Sequence, residues 1–177
     1  MEPIGKMMLR ASYPSVEWGN GVIIHGKLEL LGPGRVVIGD GCWFSNANGI
    51  PNKIHTVTPE AVVEIGSGVT FGGATIVAAK SVVIGAHTML GPCTIVDTDF
   101  HSIDAAERNS GRWSEAGPVR LGEDVWVGRD AMILQGVTVG SRSVIGARSV
   151  IRASVPEDRV VVGNPQRIAS EVKRSEG

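Results

Sequence analysis

The sequence predicts an all-β solenoid, a stack of triangular coils built from short strands. Three observations predict it. Aliphatic residues recur every six positions through most of the chain, the apolar runs are short and β-branched, and glycine accounts for 24 of the 177 residues. This is about twice the usual glycine share of ~7%. Because the glycines are periodic, they indicate repeated turns rather than a disordered segment.

The repeat is clearest in the last third of the chain. Six aliphatic residues follow one another at intervals of six: Leu121, Val127, Ile133, Val139, Ile145 and Ile151. A second set precedes them by two positions: Val119, Val125, Ala131, Val137, Ser143 and Ser149. Side chains two residues apart on a strand face the same way. Each six-residue unit therefore predicts one short strand with two inward residues and a turn.

Three such units close a triangle, so each coil takes about 18 residues. The same rhythm is present earlier, where the predicted inward residues are Ile65, Phe71, Val77, Ile84, Leu90 and Val96. A span from Val22 to about Val162 has room for seven to eight coils. We expect residues 1–21 to form an N-terminal cap, residues 22–164 the solenoid, and residues 165–177 a short tail or helix.

The rhythm breaks once, between Val96 and Val119. The break predicts a loop over residues 97–118 that protrudes from one corner of the solenoid. It contains the run Asp97-Thr-Asp99-Phe-His101 near its start. Regular repeats serve as scaffold, whereas an irregular loop is a common place for function. We therefore expect the chemistry of the protein in this loop, with His101 at its centre.

Composition excludes several classes of function. The formal net charge is −1, with 17 Lys and Arg against 18 Asp and Glu, so no basic excess points to nucleic acid or to an anionic membrane surface. The first residues contain no long apolar run, which predicts neither a signal peptide nor a membrane span and favours a cytoplasmic protein. Cys42 and Cys93 lack metal-type spacing and are expected to be buried free thiols.

Motifs in the second half of the chain are more specific than the repeat. The histidine loop is followed by Gly117-Pro118-Val119, then by Val125-Trp126-Val127-Gly128, and finally by Val162-Gly163-Asn164-Pro165-Gln166-Arg167-Ile168. This order resembles the hexapeptide-repeat acyltransferase family. Within it, the sequence is most similar to the branch of maltose, galactoside, nodulation-factor and polysaccharide O-acetyltransferases.

The resemblance implies a left-handed parallel β-helix that transfers an acetyl group from acetyl-CoA to a hydroxyl of a sugar or polysaccharide precursor. It also implies a homotrimer with active sites between subunits, and no metal. Two features depart from the family pattern. The helical N-terminal segment of the maltose enzymes is missing, and the position of their substrate-contacting asparagine falls near Gly73-Ala74.

By the same resemblance, His101 is the general base that removes the proton of the acceptor hydroxyl. Imidazole suits this role because it titrates near neutral pH. Asp99 and Asp97 are candidates to hold the ring, since a carboxylate within hydrogen-bond reach fixes the tautomer of a histidine. Aspartate is also a common turn residue, and for Asp97 that alternative is nearly as strong.

The resemblance also implies the substrate contacts. Trp126 would lie by the acetyl-donor cleft, although packing between subunits competes with that role. Gly128, Arg129 and Ala147 would form the donor groove. Arg152 and Arg167 are candidates for the phosphates of coenzyme A, because guanidinium matches phosphate geometry. Arg108 and Arg112 lie in the loop and are candidates for acceptor contacts.

Three alternatives stay open. A γ-carbonic-anhydrase-like zinc site needs three close histidines, whereas His25, His55, His87 and His101 are far apart in sequence. A non-catalytic hexapeptide-repeat subunit would have no need for the histidine loop. An acyltransferase of the same fold acting on a non-sugar acceptor, either serine or an amine, differs only in its substrate.

Overall fold

The computed structural model describes residues 16–46, 49–109 and 114–173. The first coil comprises β1 (Val16–Trp18), β2 (Ile23–Ile24) and β3 (Leu28–Leu31), and the second β4 (Arg35–Ile38), β5 (Trp43–Phe44) and β6 (Asn52–Thr56). The third comprises β7 (Val62–Ile65), β8 (Thr70–Phe71) and β9 (Thr75–Ala78), and the fourth β10 (Ser81–Ile84), β11 (Met89–Leu90) and β12 (Thr94–Val96). The fifth comprises β13 (Val119–Leu121), β14 (Trp126–Val127) and β15 (Met132–Ile133), and the sixth β16 (Thr138–Val139), β17 (Val144–Ile145) and β18 (Val150–Ile151). After these come β19 (Arg159–Val162) and β20 (Arg167–Glu171).

Every coil contributes one strand to each of three sheets. Sheet A has the order β1-β4-β7-β10-β13-β16, sheet B the order β2-β5-β8-β11-β14-β17-β19-β20, and sheet C the order β3-β6-β9-β12-β15-β18. We call the connection from A to B corner 1, that from B to C corner 2, and that from C to A corner 3. The described residues thus form six complete coils and part of a seventh. This confirms the all-β solenoid with triangular coils, but the number of coils is lower than the predicted seven to eight.

The core is a stack of inward-facing ladders. All six aliphatic residues of the last block, from Leu121 to Ile151, are at most 3% exposed, as predicted. Phe44 and Phe71 stack on successive coils of sheet B, with ring centroids 4.4 Å apart. Cys42 and Cys93 are both buried free thiols, and burial raises the pKa of Cys93 to about 12. Neither thiol is available as a nucleophile at neutral pH.

The predicted register is wrong in sheet C of the third and fourth coils. The inward residues are Ile76 and Ile95, both 0% exposed, instead of Val77 and Val96. The reason is the length of corner 2. Five positions separate Phe71 from Ile76, whereas six separate Val127 from Ile133 in the fifth coil. A shift of one residue moves the other face of a strand inward. The residue that faces inward after Ile95 is therefore Asp97.

Both ends of the solenoid differ from expectation. The first coil begins by Val16 rather than Val22, because Val16 and Trp18 pair in parallel with Val36 and Ile38. At the other end the structure has a strand, β20, instead of a tail or helix. This strand runs antiparallel to β19 and forms the edge of sheet B. Residues 1–15 and 174–177 of the predicted cap and tail lie outside the described residues.

The side chain of Gln166 closes the last coil at sheet C. Its Oε1 accepts hydrogen bonds from the backbone N–H groups of Arg152 (2.6 Å) and Ala153 (2.9 Å), and its Nε2 donates to the carbonyl of Ala153 (2.9 Å). These contacts replace the backbone groups that a further coil would supply. A solenoid needs such a cap because its last strand otherwise exposes unpaired backbone groups.

Candidate active site

The loop leaves the solenoid at corner 3, and Asp97 anchors its root. Asp97 is 0% exposed. Its carboxylate accepts hydrogen bonds from the backbone N–H groups of Ala79, Lys80 and Ser81, at 2.6, 2.8 and 2.7 Å. Asp97 thus holds corner 3 of the preceding coil. These contacts favour the structural alternative for Asp97, because its carboxylate is buried in the scaffold while His101 is exposed.

Backbone and hydroxyl contacts join the two limbs of the loop at its base. Thr98 forms an antiparallel bridge with Ala116, and its hydroxyl lies 3.3 Å from that of Ser114. The N–H of Gly117 donates to the carbonyl of Asp97 at 2.9 Å, and the N–H of Gly136 donates to the carbonyl of Gly117 at 3.0 Å. The base of the loop is therefore fixed to the next coil, although the loop itself protrudes.

Directly above this base the chain makes a tight turn that carries Asp99 and His101. Phe100, at its centre, has a φ of 62°, which is uncommon for a bulky residue. The N–H of Phe100 donates to the hydroxyl of Thr98 (3.1 Å), and the N–H of His101 donates to the carbonyl of Asp99 (2.7 Å). Both Asp99 and His101 are exposed. The turn presents them to solvent only a few residues from a rigid anchor.

Asp99 lines a cavity of about 500 Å³ together with residues from the fifth and sixth coils and the partial seventh. The other lining residues are Leu134, Gln135, Val150, Arg152 and Asn164. The carboxylate of Asp99 accepts a hydrogen bond from Nε2 of Gln135. Asp99 and Arg152, predicted separately for the base and for the donor, therefore share one cavity. Sequence reasoning missed Gln135, which occupies a turn position with no motif of its own, and it assigned no role to Asn164 within the C-terminal motif.

Gly128, Arg129 and Ala147 stack on one another at corner 2. The N–H of Arg148 donates to the carbonyl of Arg129 at 2.8 Å, which joins the two turns. A Cβ at position 128 would lie 2.7 Å from the backbone nitrogen of Ala147, so only glycine allows this close stacking. Corner 2 lies at the start of β15 and β18, and the cavity lies at the end of the same two strands. The outer face of sheet C in these coils thus connects the predicted donor residues to Asp99.

Arg152 and Arg167 are close to the capped end of this face. Both side chains are exposed, and neither guanidinium forms an ion pair with any residue that the structure describes. Gln166 accepts a hydrogen bond from the backbone N–H of Arg152. Arg167 is the next residue in sequence after Gln166 and the first residue of β20. Arg152, which lines the cavity without an ion pair to a described residue, is suited to an anionic ligand.

Trp126 lies on a different face. Its side chain is 54% exposed on the outer surface of sheet B. There it lines a separate cavity of about 330 Å³, mostly apolar, with Met89 on the preceding coil and Trp43 on the second coil. Within one chain, Trp126 therefore does not line the Asp99 cavity. The predicted donor contact of Trp126 requires that the two faces come from different subunits.

The loop arginines do not yet identify an acceptor site. The guanidinium of Arg108 donates to the backbone carbonyls of Ser102 (3.4 Å) and Ile103 (3.2 Å), so it closes the loop on itself. Arg112 lies outside the described residues. The predicted acceptor contacts of Arg108 and Arg112 therefore stay predictions.

Two further observations concern metals and membranes. Among residues 16–46, 49–109 and 114–173, no three His, Cys, Asp or Glu side chains are grouped so that they could hold a metal ion. No helix in the same part of the chain is both long and apolar enough to cross a bilayer.

Comparisons with known proteins agree with this fold. Residues 118–153 match the family described as bacterial transferase hexapeptide (six repeats). A Schizosaccharomyces pombe protein assigned to the acetyltransferases is 34% identical over 119 residues, covering 63% of this chain and 56% of the relative. Galactoside O-acetyltransferase from Lactococcus lactis is 31% identical over 102 residues, covering 58% of this chain and 49% of that enzyme. The chain thus spans about half the length of these two relatives.

Solved structures align over nearly the whole chain. An N-acyltransferase from Bacillus cereus, solved with dTDP-4-amino-4,6-dideoxyglucose and coenzyme A, aligns with a TM-score of 0.77 at 18% identity, covering 96% of this chain and 90% of that one. A maltose O-acetyltransferase from Clostridium difficile 630 aligns with a TM-score of 0.59 at 22% identity, covering 98% and 79%. The likeness confirms the left-handed parallel β-helix. The match at residues 118–153 and these relatives agree with the resemblance to the hexapeptide-repeat acyltransferases that the sequence motifs carry.

Proposed function

We propose that the protein is an acyl-CoA-dependent O-acetyltransferase that acts on a hydroxyl of a sugar or polysaccharide precursor. One observation carries the proposal. Asp99, two residues before His101, lines the same cavity as Arg152, on the face whose far corner holds Gly128 and Ala147. The turn that carries the candidate base and one candidate phosphate-binding group thus lie along one surface. The relatives that act on galactoside and maltose support a sugar acceptor.

In the proposed reaction His101 takes the proton of the acceptor hydroxyl while its oxygen attacks the thioester carbonyl carbon. The new C–O bond forms, the C–S bond breaks, and the proton passes from the imidazole to the departing thiolate. The products are the acetyl ester and free coenzyme A, without an acyl-enzyme. The backbone N–H of Ala147 has no acceptor among the described residues, so it is suited to stabilise the tetrahedral oxyanion.

A panel of acceptors with acetyl-CoA, followed by release of the free thiol, tests this function. We expect release that depends on a sugar or glycan hydroxyl. Release with amino sugars alone would replace the O-acetyl proposal by N-acyl transfer, the reaction of the Bacillus cereus neighbour. No acceptor-dependent release with sugars, glycans, amino acids or amines would contradict the enzymatic function.

Arg152 gives a prediction for donor binding. Replacing Arg152 by alanine should raise the KM for acetyl-CoA about 10-fold or more, because a hydrogen bond to a charged group is worth about 1.5–3 kcal/mol. The kcat should change little, because a contact that holds the donor equally in the bound state and in the transition state affects binding alone. Steady-state kinetics with Arg120→Ala as control measure this, as Arg120 is exposed on sheet A. An unchanged KM would remove Arg152 from the donor site.

Trp126 gives a prediction for assembly. The outer face of sheet B exposes Ile23, Trp43, Met89 and Trp126, each about half exposed, and such an apolar stripe marks an interaction surface. We propose that it packs against a neighbouring copy in a homotrimer, so that Trp126 reaches the neighbour's Asp99 cavity. Light scattering should then give three times the chain mass of 18.6 kDa. Trp126→Asp should dissociate the assembly and lose transfer, and an active monomer would contradict shared sites.

A further inference from the structure

We propose that Gln135 is a positioning residue that holds the carboxylate of Asp99 in place for His101. The inference rests on the function proposed above and adds a residue to its machinery. Gln135 follows β15 at corner 3, 36 residues from Asp99 in sequence. Its Nε2 donates a hydrogen bond to Oδ2 of Asp99. In the part of the chain that the structure describes, no other side chain makes a hydrogen bond to Asp99.

The scaffold fixes the backbone on both sides of Gln135. The N–H of Leu134 donates to the carbonyl of Ile151 at 3.0 Å, and the N–H of Gly136 donates to the carbonyl of Gly117 at 3.0 Å. Gln135 itself is half-buried. Asp99, in contrast, is exposed and lies beyond the base of the loop. The hydrogen bond therefore ties an exposed loop residue to the scaffold, and a catalytic group needs such support to keep its geometry.

The chemistry of an amide suits this task. A neutral donor orients a carboxylate without cancelling its charge, whereas a bidentate arginine would occupy both oxygens and compete with an imidazolium. Arg152 lines the same cavity but makes no ion pair with Asp99 among the described residues. Only Oδ2 of Asp99 is used by Gln135. The second oxygen, Oδ1, accepts no hydrogen bond in the described part of the chain and is free to accept the ring N–H of His101. Such a bond would fix the tautomer that a general base requires.

Gln135→Met tests the inference, because methionine matches the length of glutamine and removes the donor. We expect kcat for acetyl transfer to fall about 10- to 100-fold, as small errors of geometry at a reacting centre have effects of this size. The KM for acetyl-CoA should stay within about twofold and Tm close to wild type. A merely structural contact would change Tm instead of kcat.

A double-mutant cycle with Asp99→Asn shows whether Gln135 acts through Asp99. If it does, Gln135→Met should cause no further loss of kcat in the Asp99→Asn background. An unchanged kcat in Gln135→Met, or full multiplication of the two losses, would overturn the inference while leaving the transferase function intact. A wild-type protein that transfers no acetyl group to any acceptor would overturn the proposed function itself. Hydrogen exchange at residues 99–101 should be faster in Gln135→Met, and unchanged exchange would contradict the tie between loop and scaffold.

Discussion

Alanine in place of His101 is expected to lower kcat for acetyl transfer by about 10²- to 10⁴-fold, the usual contribution of general acid–base catalysis. The imidazole is the one group in the turn of Asp99 and His101 that can both take a proton from a hydroxyl and return it to a thiolate. Since His101 is exposed, the variant should fold and bind acetyl-CoA like wild type. Thiol release at saturating donor and acceptor measures the effect.

The matched control for this variant is His87→Asn. His87 lies at corner 1 between β10 and β11, away from the loop, and its backbone has a φ of 58° that asparagine tolerates. The control should keep wild-type kcat. If His101→Ala also keeps it, the loop histidine is not the base, and a non-catalytic role of the loop becomes the better explanation.

Alanine in place of Asp97 is expected to destabilise the fold by on the order of 3–5 kcal/mol. The substitution removes three hydrogen bonds from a fully buried carboxylate and leaves the N–H groups of Ala79, Lys80 and Ser81 without an acceptor. It also releases the root of the loop. Denaturant unfolding of the variant, followed by circular dichroism, gives the loss in the free energy of unfolding.

Asp99→Ala is the matched control, because it deletes the same carboxylate two residues further along, at an exposed position. Its free energy of unfolding should change by no more than about 0.5 kcal/mol, as is usual for surface positions. The two substitutions are therefore expected to affect different quantities. Asp97→Ala reduces the free energy of unfolding, and Asp99→Ala reduces kcat. Equal stability of the two variants would contradict the structural role of Asp97.

The sequence predicted the fold because the six-residue repeat, its strongest signal, directly reflects the coil geometry. Each inward aliphatic residue of the last block stacks on the residue one coil away. Three six-residue units make one coil, so the same spacing also predicts three sheets. The prediction failed where corners change length. Corner 2 loses one residue in the third and fourth coils, and a count of six then places Val96 inward instead of Ile95 and gives Asp97 the wrong environment.

The candidate site was predictable only in part. Asp99 and His101 are adjacent in a recognisable motif, whereas Gln135 and Asn164 reach the cavity from turns that are distant in sequence. Nothing in the local sequence Leu134-Gln135-Gly136 marks a partner 36 residues away. Likewise, β20 pairs with the edge of sheet B at β19. Its own sequence has no alternation of polar and apolar residues that would predict a strand.

We propose that the repeats form a scaffold and that the loop carries the chemistry. Excision of the loop tests it most directly. Thr98 and Ala116 face each other in an antiparallel bridge, so a two-residue Asn-Gly turn can replace residues 99–115 and close the chain. The measurement is acceptor-dependent thiol release from acetyl-CoA by this folded, loop-free protein. We predict a cooperative unfolding transition like that of wild type and no transfer, whereas transfer at the wild-type rate would contradict the claim.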